Sequence, residues 1–327
     1  MRPVPLLLIL ILGWVLPVSG APQRRESGVE SILRVDLVQW GAQRALAASL
    51  SPHGDEVHLG NRSTRLTFKL DSQRMIADGT EIRLAYPVIH SGNRALISQH
   101  DIDSTLMPLL SPPRRPATRP IRLVAVNAGH GGKDPGNTEG HRQEKQYTLM
   151  LAGEVRRALE RAGLKVLMIR QGDTFVDLEE RAALANRARA DLYVSLHFNS
   201  VADAGSVNGV ETYCLTPAGT SSTNDTGNHG GTWQKGNRCD RDNIVLARQI
   251  QRAVVNGTDL DDRGVRRAHF QELTLLEMPG VLVEGGYMTN PGDSRILYTP
   301  EGRTKLARAI VDGILAYKRL VERGGAE

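Results

Sequence analysis

A chain of 327 residues with 40% hydrophobic and 24% charged residues can bury a core and has room for two domains, which excludes a disordered or fibrous class. Aromatic residues make up only 4%, too few for a base-stacking surface, so no nucleic acid partner is expected. The net charge of +5 fits either a solubilising surface or attraction to an anionic polymer.

At the N-terminus Arg2 precedes an apolar run from Leu6 to Leu16, and Val18-Ser19-Gly20 supplies the small residues of a cleavage site before Ala21. Residues 1–20 therefore read as a secretory signal peptide, and the mature protein is expected to be exported to the periplasm or cell envelope. The run is shorter than the roughly 20 residues of a membrane span, and no later segment supplies a transmembrane helix. Export places Cys214 and Cys239 in an oxidising compartment, where a disulfide closing the loop between them is expected over two free thiols.

From residue 28 to 110 the chain shows short alternating segments, such as Arg65–Leu70 and Ile82–Pro87, separated by turn signals at Ser51-Pro52-His53-Gly54 and Ala77-Asp78-Gly79. Period-two alternation predicts half-buried strands, hence a small β-rich domain, closed by helical spacing of Ile102, Leu106 and Leu109. The segment resembles the β-rich, stalk-like modules found ahead of exported cell-envelope enzymes. Residues 111–120 carry four prolines and three arginines, which no helix or interior strand accepts. They predict an interdomain linker that holds its neighbours apart with its arginines in water.

From residue 121 to 322 the pattern becomes strand alternating with helix. Strands are predicted at Ile121–Val126, Lys165–Ile169, Leu192–Leu196, Gly209–Leu215 and Val281–Val283. Helices are predicted at Glu144–Ala162, from a capping box of Asp177 and Glu180 to about Arg189, at Asp242–Val255 and at Glu301–Val321. Continuously apolar strands alternating with helices specify an α/β fold with a mostly parallel sheet covered on both faces.

Four polar residues fall at the carboxyl ends of these strands or just beyond them. His130 sits in the glycine-rich turn Gly129-His130-Gly131-Gly132 after the first strand, and Glu144 opens the first helix. His197 ends the third strand and Glu284 ends the last. The carboxyl edge of a parallel sheet is where such a fold assembles a site. Two imidazoles and a carboxylate form the ligand set of an open catalytic zinc site, and a second carboxylate can act as general base.

On these residues the chain resembles the zinc-dependent N-acetylmuramoyl-L-alanine amidases that cleave peptidoglycan. The likeness runs from about Ile121 to Leu320. It is carried by Ala128-Gly129-His130-Gly131-Gly132-Lys133-Asp134-Pro135-Gly136, Glu144-Lys145, Leu178 to Asn186, Ser195-Leu196-His197-Phe198-Asn199, Asp262-Arg263-Gly264-Val265, and Met278 to Asn290. The resemblance implies His130, Glu144 and His197 as zinc ligands and Glu284 as the catalytic carboxylate, with peptidoglycan as substrate; Asn199 is a further candidate for substrate binding, and whether an activator protein takes part is left open. Three departures stand out. Asn127-Ala128 replaces the family's common Asp-Pro, which weakens or transfers whatever that aspartate does beside the metal. Gly285 replaces a hydrophobic residue, which is expected to loosen packing behind Glu284. A Gly/Ser/Thr/Asn-rich insertion occupies residues 216–240 and is expected near the site as a clamp or lid. The competing readings are a zinc peptidase or deacetylase on another envelope polymer, and a wall-binding protein with a dead site.

Overall fold

The computed structural model describes residues 32–202, 206–223 and 231–322; the expected signal peptide and part of the 216–240 insertion lie outside them. The first half is β-rich, as its alternation requires. It contains β1 (Arg34–Asp36), β2 (Ala47–Leu50), β3 (Glu56–Gly60), β4 (Arg65–Lys69), β5 (Ser72–Ala77), β6 (Thr80–Ser91) and β7 (Arg94–Ser98). Strands β2 to β7 pair antiparallel with their sequence neighbours. In β4 the period of two is plain, since Leu66 and Phe68 are buried while Arg65 and Lys69 face water. A short α1 (Leu37–Ala42) is capped by Asp36, whose carboxylate accepts from the Val38 and Gln39 amides. The expected closing helix runs through α2 (Gln99–Asp101), a π-helical turn (Ile102–Leu106) and α3 (Met107–Leu110).

The second half carries β8 (Leu123–Ala128), a minor hairpin of β9 (Thr138–Glu139) and β10 (Arg142–Gln143), α4 (Glu144–Arg161), β11 (Lys165–Met168), α5 (Leu178–Arg187), β12 (Leu192–Asn199) and β13 (Val210–Leu215). There follow α6 (Asp240–Gly257), β14 (Asp262–Ala268), α7 (Gln271–Thr274), β15 (Gly280–Tyr287), α8 (Pro291–Tyr298) and α9 (Pro300–Glu322). The sheet order is β11-β8-β12-β15-β13-β14. The first four strands are mutually parallel, β13 runs antiparallel to β15, and β14 is parallel to β13.

Alternate residues of the central strands feed two cores. Val124, Val126, Val194, Leu196, Val281 and Val283 pack with α4, α6 and α9, whereas Ala125, Tyr193 and Leu282 pack with Ala182 and Ala185 of α5 and Leu273 of α7. Burying each of the larger aliphatic side chains stabilises the fold by about 1.5–3 kcal/mol. The two-sided burial explains why these strands read as unbroken apolar runs. By the same period of two, Ser195, His197 and Glu284 share the face covered by α5 and α7, and that is the face on which the polar residues gather.

Several expectations are corrected. The proline-rich stretch does not hold two bodies apart: the described residues from Leu33 onward form one compact unit. The Arg115 amide donates to Val321 O at 2.8 Å, and its guanidinium pairs with Asp191 at 2.9 Å. Strand β6 pairs in parallel with β14 at Ile82 and Val265, so the β-rich half continues the central sheet. Arg248 of α6 binds Asp78 at 2.8 Å and Arg267 of β14 binds Ser104 O at 2.9 Å, which fixes the two halves together. Asp177 occupies the N-cap of α5 but its side chain makes no capping hydrogen bond, and Glu180 pairs with Arg187, so the expected capping box does not form. Cys214 and Cys239 are free thiols: Cys214 is buried in the core beside α6, and Cys239 lies half-buried with its thiol toward Glu277 O. Gly285 tightens rather than loosens the packing, since a Cβ there would lie 3.0 Å from Leu306 and 3.1 Å from Phe198.

Candidate metal centre and active site

The site forms where β8, β12 and β15 end. Beyond β8 the backbone turns at His130, a non-glycine residue with φ of 62°, and at Gly131 and Gly132 with φ of 126° and 57°. A left-handed conformation at a histidine is costly and clusters at functional positions. The turn is held by reciprocal backbone bonds between Gly131 and Asp134 at 3.0 and 3.1 Å. Gly136 matters for a different reason: a Cβ there would lie 2.5 Å from the His130 ring and 2.7 Å from Glu144.

Glu144, the first residue of α4 and only 1% exposed, lies between the two histidines. His130 Nε2 is 3.0 Å from Glu144 Oε2, and His197 Nδ1 is 3.0 Å from Glu144 Oε1. The rings of His130 and His197 meet edge to face at 4.9 Å. Glu144 Oε1 also accepts from the Phe198 amide at 3.0 Å, and Oε2 accepts from the Asn137 amide at 2.9 Å. Burial raises the Glu144 carboxyl, but the hydrogen bonds from both histidines outweigh it and hold it well below the ordinary carboxylate range. Burial lowers the His197 imidazole, but the Glu144 and Glu272 carboxylates outweigh it and raise it to about 10. Three donor atoms from His130, Glu144 and His197 lie within 4.8 Å of one another. A buried carboxylate between two imidazoles, with glycine where a Cβ would obstruct them, fits a divalent transition metal by donor type and by clearance.

Glu284 stands beside this cluster because β15 is in register with β12, with Glu284 opposite His197. On its other side it lies opposite Glu211 of β13. Burial pushes the Glu284 carboxyl up to about 8; His197 pulls it down, while Glu144, Glu211 and Glu272 push it further up. Among the described residues, neither Glu284 Oε2 nor His197 Nε2 has a hydrogen-bond partner. His130, Glu144, His197 and Glu284 all line one cavity of about 280 Å³, together with Asn137, Leu178, Phe270, Gln271, Glu272 and Leu282.

The structure therefore brings together all four residues singled out at the strand ends. Asn199 is placed elsewhere: it does not line the cavity, and its amide reaches Glu211 at 3.4 Å. None of the described residues of the 216–240 insertion lines the cavity either. Sequence reasoning missed Asp134, whose Oδ2 is 2.8 Å from His130 Nδ1, and Glu272, a buried carboxylate on α7. The i,i+4 spacing of His130 and Asp134 within the glycine-rich motif was a readable signal; Glu272 had none.

The comparisons with known proteins bear on the family and the fold. Residues 124–316 match the family model described as N-acetylmuramoyl-L-alanine amidase. The uncharacterized protein YqiI of Bacillus subtilis is 35% identical over 203 residues, which is 62% of this chain and 88% of that one. The N-acetylmuramoyl-L-alanine amidase LytC of the same organism is 34% identical over 196 residues, 60% of this chain but only 35% of LytC. Among solved structures, the N-acetylmuramoyl-L-alanine amidase AmiC2 of Nostoc punctiforme is similar with a TM-score of 0.51 and 33% identity, covering 60% of this chain and 96% of that chain. With its family model spanning most of the α/β half, the chain belongs to the N-acetylmuramoyl-L-alanine amidase family.

Proposed function

We propose that the protein is a zinc-dependent hydrolase that cuts the amide between the lactyl group of N-acetylmuramic acid and the L-alanine of the stem peptide in peptidoglycan, acting in the periplasm or cell envelope after export. The observation that carries this reading is the convergence of His130, Glu144 and His197 within 4.8 Å in a cavity that Glu284 also lines, in a chain of this family. In this proposal His130, Glu144 and His197 hold the zinc, and residues 121–322 are the catalytic part, with the β-rich residues 28–110 supporting its sheet. Bound zinc would supply Lewis acidity toward the scissile carbonyl and toward water.

Glu284, in its ionised form, takes a proton from the attacking water as the oxygen adds to the carbonyl carbon. It then passes that proton to the alanine nitrogen as the C–N bond breaks, leaving a muramic acid carboxylate and a free amino terminus. Phe270 and Leu282 give the cavity an apolar wall that limits water near the reacting atoms.

The test is mass spectrometry of purified peptidoglycan digested with the mature protein. The expected products are stem peptides that begin with free L-alanine and glycan strands with unsubstituted muramic acid, with loss of activity in chelator and recovery with zinc. Release of acetate, cleavage within the peptide, or full turnover in a demonstrably metal-free sample would refute the proposal.

A further inference from the structure

Each histidine of the candidate metal centre turns one nitrogen toward Glu144 and the other toward a second carboxylate. For His130 that second carboxylate is Asp134, at 2.8 Å from Nδ1. For His197 it is Glu272, whose Oε1 lies 3.6 Å from Nε2. Glu272 comes from a remote stretch, the single-turn α7 that follows β14, and it is only 3% exposed.

A carboxylate buried to this degree needs partners to remain there. Glu272 Oε2 accepts from the Asn127 amide at 2.8 Å and from the Tyr193 hydroxyl at 2.8 Å. Both donors are buried on the face of the sheet that α7 covers, and Asn127 is further tied to Ser195 at 3.0 Å. One oxygen of Glu272 is thus anchored from below, which leaves the other free to face His197. The imidazole nitrogen it faces is buried and has no hydrogen-bond partner among the described residues. At 3.6 Å the pair is longer than a hydrogen bond, and a shift of about 0.6 Å brings it to the usual range near 3.0 Å.

The geometry points to Glu272 as a positioning residue for the metal-holding imidazole of His197: it accepts the Nε2 proton, fixes the tautomer that leaves Nδ1 for the metal, and keeps the ring in register with Glu144. A carboxylate behind a ligating histidine orients the ring and strengthens it as a ligand, and removing one costs 10- to 100-fold in metal affinity. Asn127 has its part in this arrangement, because its amide donates where a carboxylate at the same position would repel Glu272.

This inference rests on the zinc reading above, and the experiment separates the two. Zinc affinity is measured by competition with a chromophoric chelator for the wild type, Glu272→Ala and Glu272→Gln, each shown to be folded by its thermal transition. The tautomer of His197 is read from the imidazole nitrogen shifts of labelled protein. The expected result is a 10- to 100-fold weaker zinc affinity and a lost Nε2–H signal in Glu272→Ala and likewise in Glu272→Gln, whose single amide oxygen is taken by the Asn127 and Tyr193 donors so that its NH2 group faces His197 Nε2. A wild type that binds no zinc overturns the metal reading and this inference with it. A wild type that binds zinc tightly, matched by Glu272→Ala, overturns the role of Glu272 alone, and so does a Glu272→Gln variant that keeps the wild-type affinity and Nε2–H signal.

Discussion

A single methyl group added at Gly129 tests the proposed centre directly. A Cβ at this position would lie 2.3 Å from His197 Cε1, 2.5 Å from Nε2 and 2.6 Å from Nδ1, whereas ordinary contact begins at 3.4 Å, so the ring must retreat by about 1.1 Å. The backbone cannot yield in its place. The Gly129 amide donates to Leu196 O at 3.0 Å, and its carbonyl accepts from Thr148 Oγ1 and Arg170 Nη2, both at 2.9 Å. Gly129→Ala should therefore push His197 Nδ1 away from Glu144 while leaving the sheet intact. Misplacing a reacting group by about 1 Å costs on the order of 10²-fold in rate, and overpacking of this kind costs about 1–3 kcal/mol of stability. The assay pairs zinc affinity with turnover on peptidoglycan and with the thermal midpoint. Gly153→Ala serves as the control, since its Cβ would meet only Arg157 at 3.7 Å on α4. If Gly129→Ala bound zinc and turned over substrate like the wild type, His197 could not be held where the geometry requires it.

Three further outcomes are expected. Glu284→Gln should keep its zinc while losing about 10²- to 10⁴-fold in rate, because a general base acts without holding the metal; if it lost zinc while Glu144→Ala kept it, the two carboxylates would exchange roles. Burial pushes the Cys214 thiol up to about 11 and the Cys239 thiol up to about 12, so the native protein should react slowly with alkylating reagents yet take up two equivalents once unfolded without reductant. An unreduced, unfolded chain that takes up none would contradict the free thiols. Burial also pushes the Asp240 carboxyl up to about 6, against Asn237 and Arg267, from an ordinary value of 3.8. A folded value above the unfolded one contributes stability that is fully present below about pH 4 and lost as the pH rises through about 6, roughly 3 kcal/mol at most. Denaturant titrations between pH 4 and 7 should then show a flatter profile for Asp240→Asn; an unchanged slope would refute the assignment.

Much of the α/β half was legible because burial on both faces writes itself into the chain. Val124 to Val126 and Leu192 to Val194 are apolar at every step for that reason, and the ends of such strands place His197 and Glu284 without further information. Strand β14 was not legible. Its sequence, Asp-Arg-Gly-Val-Arg-Arg-Ala, reads as a solvated loop, yet Arg263 binds Glu211 at 2.7 Å, and Arg267, 1% exposed, reaches Thr105 at 2.8 Å. Charged residues paired across the tertiary structure leave no apolar period to read. Glu272 was hidden by the same logic, because its partners Asn127 and Tyr193 are 145 and 79 residues away. The helix α8 has a start that the sequence does signal: Asn290 caps it by accepting from the Gly292 and Asp293 amides, and Pro291 occupies its first turn. What covers a half-buried meander is set by its partner and not by its own alternation, so the docking of β6 on β14 could not be read from either segment.

That docking bears on how the protein can be cut. A strand at the rim of a sheet offers unpaired amides and carbonyls to any other chain that approaches, and proteins must shield such rims to stay monodisperse. Here the β-rich half supplies the shield, with the Glu81 amide donating to Asp262 at 2.9 Å and Arg248 reaching Asp78 across the seam. A fragment trimmed to residues 121–322 would keep every proposed metal ligand, yet it would expose Asp262–Ala268 as an open rim and strip Arg267 of its partners at Ser104 and Thr105. Self-association of that fragment, at concentrations where the longer chain stays dispersed, is what the shared sheet implies.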